Sequence, residues 1–314
     1  MFSGWGCRAA NPGGGGDRAL TRGEGCLYTL ECRLPMKIVT ECYECLRRLA
    51  RQAAELSTSD ERLRAKALER GLAVVEDNFS YDEVSITIAT KIHRAVREVT
   101  GNTDPYRGMK DEEIRLSREL MREVGSSYGD GFGGLLGLSV LGNAIDFFRD
   151  FASIREDMGR GLQFSQDDSA TFVNRLEGAE GVLFLADNAG EVFFDLPLVK
   201  YMSGLTPVTY VVKESAVQND LSLEDLERSG LAGEFGAVMT TGAATPGVVF
   251  SLASEEFRQA FDSAELILAK GMAYYEALTE LPPDGRILHC LKAKCRPVAD
   301  SLGVPLDSYV AVLR

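Results

Sequence analysis

Two hydrophobic rhythms divide the chain. From Met36 to about Gly161 apolar residues recur at helical spacing: Leu46, Leu49, Ala53 and Leu56 form the stripe of an amphipathic helix. Further helices are predicted over 60–76, 82–99, 111–124 and 139–153. The loop Gly101-Asn102-Thr103-Asp104-Pro105-Tyr106 interrupts them, since proline and the residue before it resist helix. Glycine-rich 125–137 reads as a second break. From about residue 178 the rhythm changes to short apolar runs of strand length at 181–187, 207–213, 236–242, 265–271 and 286–292. Amphipathic stretches at 191–203, 222–230, 254–263 and 272–280 separate them. Strands alternating with helices imply a parallel sheet covered on both faces, because parallel strands need crossover connections. SYVAVL (308–313) is expected to add an edge strand.

The predicted fold is therefore α/β, with a helical N-terminal domain (36–165) and a doubly wound, mostly parallel sheet domain (166–314) of three-layer α/β/α, Rossmann-like build. Residues 1–35 fit neither rhythm. They hold Gly13-Gly14-Gly15-Gly16, Cys7, Cys26, Cys32 and the single tryptophan, without the apolar core of a secretory signal. They read as a disordered tail or an extension upstream of a natural start at Met36, and are excluded from the fold.

Composition narrows the chemistry. A formal net charge of −13 argues against an extended nucleic-acid surface, which needs basic stripes. It leaves room for a small anionic substrate, because a bound cation or a few lysines reverse the field inside one cleft. No apolar run reaches the roughly 18 residues of a membrane span. Seven cysteines, an odd number in a chain too large to need disulfide staples, suggest a reducing, cytoplasmic setting. With only His93 and His289 available, a zinc site built on imidazole is disfavoured. A metal here would be held mainly by oxygen, favouring ions such as Mg²⁺ or Mn²⁺.

In open parallel sheets ligands lie beyond the carboxyl ends of the strands. There the first run closes as Asp187-Asn188-Ala189-Gly190-Glu191, and the second leads into Gln218-Asn219-Asp220. The fourth closes as Lys270-Gly271, and the fifth runs into Lys292-Ala293-Lys294-Cys295. Carboxylates and amides at one pair of ends and lysines at the other suit a cation beside an anionic group. Asp187, Asn188 and Asp220 supply hard oxygens, with Asn219 as a further amide. Lys270 and Lys292 or Lys294 would neutralise a phosphoryl group. Gly190 and Gly271 would let backbone N–H groups approach a ligand, and the helix from Glu191 would present its positive end. Each element taken alone has a plain reading as a turn, helix cap or solvated strand end. No P-loop, dinucleotide fingerprint or nucleophile elbow is present.

These motifs in this order resemble a known family. DNAGEVFFD (187–195), QND (218–220), AKGMAYYEAL (269–278) and LKAKCRPVADSLGV (291–304) are similar to the DUF89, or damage-control phosphatase, proteins with their ARMT1-like metal-binding domain. CYEC (42–45), TGNTDPYRGMK (100–110) and GNAIDF (142–147) extend the likeness into the helical part, and the CxxC and KC elements match its archaeal and bacterial branch. The resemblance implies a metal-dependent phosphatase hydrolysing small phosphorylated metabolites, sugar phosphates and damaged or overflow phosphometabolites among them, by metal-activated water. It implies Mn²⁺, Co²⁺ or Ni²⁺ held by Asp187, Asn188 and Asp220, and phosphate contacts from Lys270 and from Lys292 or Lys294. The family usually reads K-G-[QD]-x-N-[YF]; here Met272 and Tyr274 stand at the polar positions, so altered substrate choice or lost activity is an expectation too. The rival reading is a non-catalytic protein that binds a phosphorylated ligand through the cation. A methyltransferase on a similar sheet is disfavoured by the missing glycine-rich loop. Cys42 and Cys45, at i, i+3 beside Leu46 and Leu49, read first as small buried hydrophobes. Asn143 and Asp146 share a helical face and are candidate cleft residues.

Overall fold

The structure, a computed structural model, describes residues 35–142 and 162–314. The tail 1–34, the motif residues Asn143 and Asp146, and the predicted helical stretch 143–153 lie outside the described residues.

Among the described residues three helices come first: α1 (Thr40–Ser57), α2 (Glu61–Asn78) and α3 (Ser85–Thr100). Asp60 starts α2 by accepting the backbone N–H groups of Arg62 and Leu63, and Gly101, in the left-handed region at φ 71°, ends α3. Of the stripe read from the sequence, Leu46 and Ala53 are buried, Leu49 is half-buried and Leu56 is exposed; with Ala50 the buried members pack on Val75, Ile88, Ile92 and Val96. Helix α4 (Arg107–Val124) follows, and then α5 (Phe132–Gly142), which corrects the predicted break. Glycines 133, 134 and 137 weaken this helix by about 1 kcal/mol apiece. Phe132, Leu135, Leu136 and Val140 bury apolar surface against the sheet layer, each worth roughly 1.5–3 kcal/mol, and that outweighs the glycines. Because α5 is buried on nearly every side it carries no amphipathic signature.

Among the described residues seven strands form one sheet in the order β1-β7-β6-β5-β2-β3-β4. They are β1 (Phe164–Asp167), β2 (Val182–Leu185), β3 (Val208–Val212), β4 (Ala237–Thr240), β5 (Leu266–Lys270), β6 (Ile287–Lys292) and β7 (Tyr309–Leu313). All neighbours pair in parallel except β6 and β7. The expected edge strand 308–313 is therefore interior: β7 runs antiparallel to β6 and takes β1 on its other side. The true edge, Phe-Ser-Gln-Asp, is short, polar and half-exposed, as edges that avoid aggregation tend to be, and has no strand signature.

Alternate residues of the strands feed two cores. Phe184, Tyr210, Leu268 and Leu288 face α6 (Ser169–Leu176) and α7 (Val192–Ser203), while Leu185, Val211, Ile267 and Ile287 face α9 (Glu255–Ser263) and α10 (Met272–Leu278). Helix α8 (Leu223–Ser229) follows β3, and α11 (Arg296–Leu302) follows β6. Burial on both faces explains why the central strands read as continuous apolar runs. The chain travels outward from β2 through β3 to β4, then returns to β5 on the other side of β2. This reversal opens a crevice at the carboxyl end of β2, the usual ligand position in such sheets.

Candidate active site

The loops that follow β2 and β3 are zipped together at that crevice. Ala189 N–H donates to the Asn219 carbonyl at 2.8 Å, and Leu221 N–H to the Asp187 carbonyl at 2.7 Å, so Asn188 and Asp220 face one another as an antiparallel bridge. Gln218, in the left-handed region at φ 47°, makes the turn that brings Asn219 and Asp220 back. From the other side of β2, Gly271 at φ 82° passes so close that a Cβ there would lie 1.9 Å from Asp187 Oδ2.

Asp187 and Asp220 are both buried. Burial first, then the nearby Glu191 and Asp220, pushes the Asp187 carboxyl well above its ordinary range. Burial likewise holds Asp220 up at about 6, against the opposing pull of Lys213. Asn188 donates its amide N–H groups to Glu191 Oε1 at 2.7 Å and Asp187 Oδ2 at 3.2 Å. Two flanking carboxylates fix the amide orientation, which leaves its carbonyl oxygen as the free donor atom. The donor set is thus all oxygen, and its carboxylates lie close enough to raise one another's pKa. Hard divalent cations suit such a set.

Two lysines are internal to the site. Lys270, fully buried, gives its ammonium to the Ser139 carbonyl at 2.7 Å, Asp195 Oδ1 at 2.5 Å and Glu191 Oε2 at 2.5 Å. Burial opposes its charge, but Asp195 and Glu191 outweigh burial and raise its pKa above the usual lysine value. Lys213, also fully buried, lies 3.5 Å from Asp220 Oδ2, donates to Tyr274 Oη at 2.9 Å and to the Gly247 carbonyl, and sits 4.0 Å from the centre of the Tyr274 ring. Each ammonium has three N–H groups, so these contacts occupy the donors of both lysines.

The two lysines of the KAK segment part company. Lys292 ends β6 and pairs with Asp307 at 3.2 Å, beside the Tyr309 ring. Lys294 is exposed, close enough to Asp187 to favour its ionised form, and its backbone N–H donates to Met272 Sδ at 3.3 Å. The strand stops at Lys292, so the two side chains do not share a face. Asn219 turns toward helix α4, donating to Glu113 Oε1 at 3.3 Å. Gly190 lets its loop touch that helix, since a Cβ there would meet Glu113 Cβ at 3.0 Å. The N–H of Gly271 is spent on the Cys290 carbonyl within the sheet. Both glycines therefore serve close packing of protein on protein.

Glu113, Lys213 and Asp195 join the site without having been singled out by sequence reasoning, and Tyr274, read there only as a departure from the family pattern, joins them. Lys213 closes the second apolar run as Lys270 closes the fourth, a parallel that could have marked it. Both histidines are buried and held neutral by burial, with pKa values lowered to about 3. Cys42 packs against the helical core, but Cys45 is exposed, contrary to its packing reading, and lines a cleft with Cys295.

Residues 38–310 match the damage-control phosphatase ARMT1-like domain. The chain is 31% identical over 293 residues to a damage-control phosphatase of Archaeoglobus fulgidus, covering 88% of this chain and 99% of that protein. It is 30% identical over 283 residues to a damage-control phosphatase of Pyrococcus horikoshii, covering 88% and 98%. The crystal structure of a DUF89 family protein from Pyrococcus horikoshii superposes with a TM-score of 0.82 at 29% identity, covering 88% of this chain and 99% of that one. The chain belongs to the DUF89 family of ARMT1-like damage-control phosphatases.

Proposed function

We propose that this protein is a metal-dependent phosphomonoester hydrolase acting on small phosphorylated metabolites. The observation that carries the reading is the convergence of the buried Asp187 and Asp220 with Asn188 at the switch point of the sheet. Relatives named damage-control phosphatases support the reaction class. Asp187, Asp220 and the carbonyl of Asn188 would hold a divalent ion, with Mn²⁺, Co²⁺ and Ni²⁺ the first to test. The bound ion would supply Lewis-acid polarisation of a phosphoryl oxygen and a lowered pKa for water.

The chain's own residues do the remaining work. Glu191 orients the Asn188 amide, and Lys270 holds Glu191 in turn. Lys213 steadies Asp220. Lys294, exposed and near Asp187, is the lysine of the set whose ammonium is best placed to meet the phosphate dianion. The test is a panel of phosphomonoesters assayed with each metal, beside calorimetric titration of the metal itself. Wild type should bind the ion and release phosphate; Asp220→Ala should lose both while keeping its circular dichroism spectrum. Retained metal-dependent activity in Asp220→Ala would refute the site, and ligand binding without turnover under every metal would favour a binding protein.

A further inference from the structure

The candidate site adjoins a cleft of about 420 Å³, within the range of roughly 300–1,000 Å³ typical of small-molecule pockets. The two share walls. Gln218 lines the cleft two residues before Asp220, and Met272 and Ala273 line it directly after Gly271, whose backbone abuts Asp187. The opposite wall comes from the helical segment, where Leu49 of α1 and Ile86 of α3 face inward, and Pro246 closes one side.

Most of this surface is apolar, and sulfur-bearing residues contribute to it. Cys42, Cys45 and Cys295 line it together with the Met272 thioether. Divalent sulfur is polarisable and packs favourably on aromatic rings, and thioether side chains adapt to irregular flat shapes. Among the polar groups of the lining, the Ser85 hydroxyl is already committed to Glu276, and Glu41, Arg48 and Arg296 are exposed, so apart from Gln218 the inner wall holds few partners for a sugar. Hydroxyls pressed on its apolar part would lose water without gaining partners. Glu41 and Glu276 line the same cleft with Arg48 and Arg296, so its charged groups balance and give a phosphate dianion no net attraction, unlike the end where a cation would be held beside Lys294. The phosphate is therefore kept at the Lys294 end, and the uncharged part of the substrate enters the cleft.

We propose that the substrate is the phosphomonoester of a flat, apolar, ring-bearing alcohol or phenol, its ring in this cleft and its phosphate beside Asp187, Asp220 and Lys294. Met272 is then a specificity-determining residue. In the reaction, water oxygen bonds to phosphorus, the bond from phosphorus to the leaving oxygen breaks, and a proton from water ends on that oxygen. The products are the free hydroxyl compound and inorganic phosphate. This inference rests on the hydrolase reading above.

The test compares 2-naphthyl phosphate, phenyl phosphate and glucose 6-phosphate with the full chain and Mn²⁺. The two aryl leaving groups have similar acidity, so their difference reports burial of the second ring. The naphthyl ester should exceed the phenyl ester about tenfold in kcat/KM, mostly through KM, and exceed the sugar phosphate by more. Met272→Gln should shrink the naphthyl-to-phenyl ratio at least threefold. Independently of any variant, 2-naphthol should inhibit wild type more strongly than phenol. A ratio near one, equal inhibition by the two products, or preference for the sugar phosphate overturns the inference while leaving the hydrolase reading intact. Failure to hydrolyse any ester with any metal overturns both.

Discussion

Replacing Lys270 with methionine removes one ammonium from beneath two buried carboxylates, and the consequence separates two roles for this lysine. Its three donors are taken by the Ser139 carbonyl, Asp195 and Glu191, and none of the four groups is more than 1% exposed. Methionine fills the aliphatic volume but leaves Asp195 and Glu191 without their counter-charge. Breaking a buried ion pair from one side costs about 3–5 kcal/mol. For a fold of this size each kcal/mol moves Tm by roughly 2–4 °C, so a loss of about 10 °C is expected by calorimetry. The deficit should shrink at pH 5, because an unpaired buried carboxylate escapes its penalty by protonating. Asp195→Asn in the same chain should recover much of the loss, since the amide oxygen still accepts from Ser139 Oγ, now 2.7 Å from Asp195 Oδ1. Kinetics supplies the opposing arm. If Lys270→Met melts with wild type and instead raises KM tenfold at saturating metal, the ammonium reaches substrate and its assignment as an internal counter-charge is wrong.

Further outcomes follow from the same geometry. Gly271→Ala puts a methyl group 1.9 Å from Asp187 Oδ2 at a φ of 82°, so metal affinity by calorimetry should fall at least tenfold; unchanged affinity would contradict the contact. Asp220 titrates near 6 in the folded protein against 3.8 ordinarily, so the folded state binds the extra proton between those values. Metal-free stability should therefore fall by about 2 kcal/mol as pH rises from 4 to 7. Added Mn²⁺ or Asp220→Asn should flatten that slope in urea melts, and a slope of opposite sign would refute the burial argument. Burial holds the Cys295 thiol up at about 11, so its alkylation by iodoacetamide, followed by mass spectrometry, should keep accelerating about tenfold per pH unit past pH 9; a plateau at 9 would contradict this. Lys294→Gln removes an exposed charge beside Asp187 and should raise KM for a phosphate ester about fivefold without moving Tm or metal affinity.

What could be read in the chain depended on whether a residue's role was fixed locally. Asp187 was legible because an apolar run of strand length closes on it, and Asp220 because it falls in the loop that leads on from the next such run; a buried parallel strand must release its polar groups at its end. The partners that hold them were less visible. Glu113 reaches Asn219 from a helix about a hundred residues earlier, and no local spacing announces it. Asp195 sits within a helix whose residues on either side are apolar, where an acid is ordinarily a solvated position. Tyr274 looked like the loss of a polar group, yet its hydroxyl accepts from Lys213. The same limit explains the fold errors. Burial on nearly all sides erased the period of α5, and a polar four-residue edge gave β1 no alternation to detect.

The two halves of the site differ in how they are built, and that difference bears on how they can change. The cation half is made from strand ends and from loops zipped by backbone hydrogen bonds, with lysines whose donors are consumed inside the protein. A substitution there disturbs several buried charges at once, so its cost appears in stability as well as function. The proposed substrate half is made from Lys294, Met272 and the wall offered by α1 and α3; Lys294 is exposed and Met272 half-buried. A change there alters which surface meets the organic group and leaves the buried network in place. Methionine and tyrosine after Gly271 illustrate both cases: Tyr274 was absorbed into the buried network, whereas Met272 faces the cleft. The departure in the loop after Gly271 therefore bears on the choice of leaving group, while the carboxylates that would hold the ion keep their support.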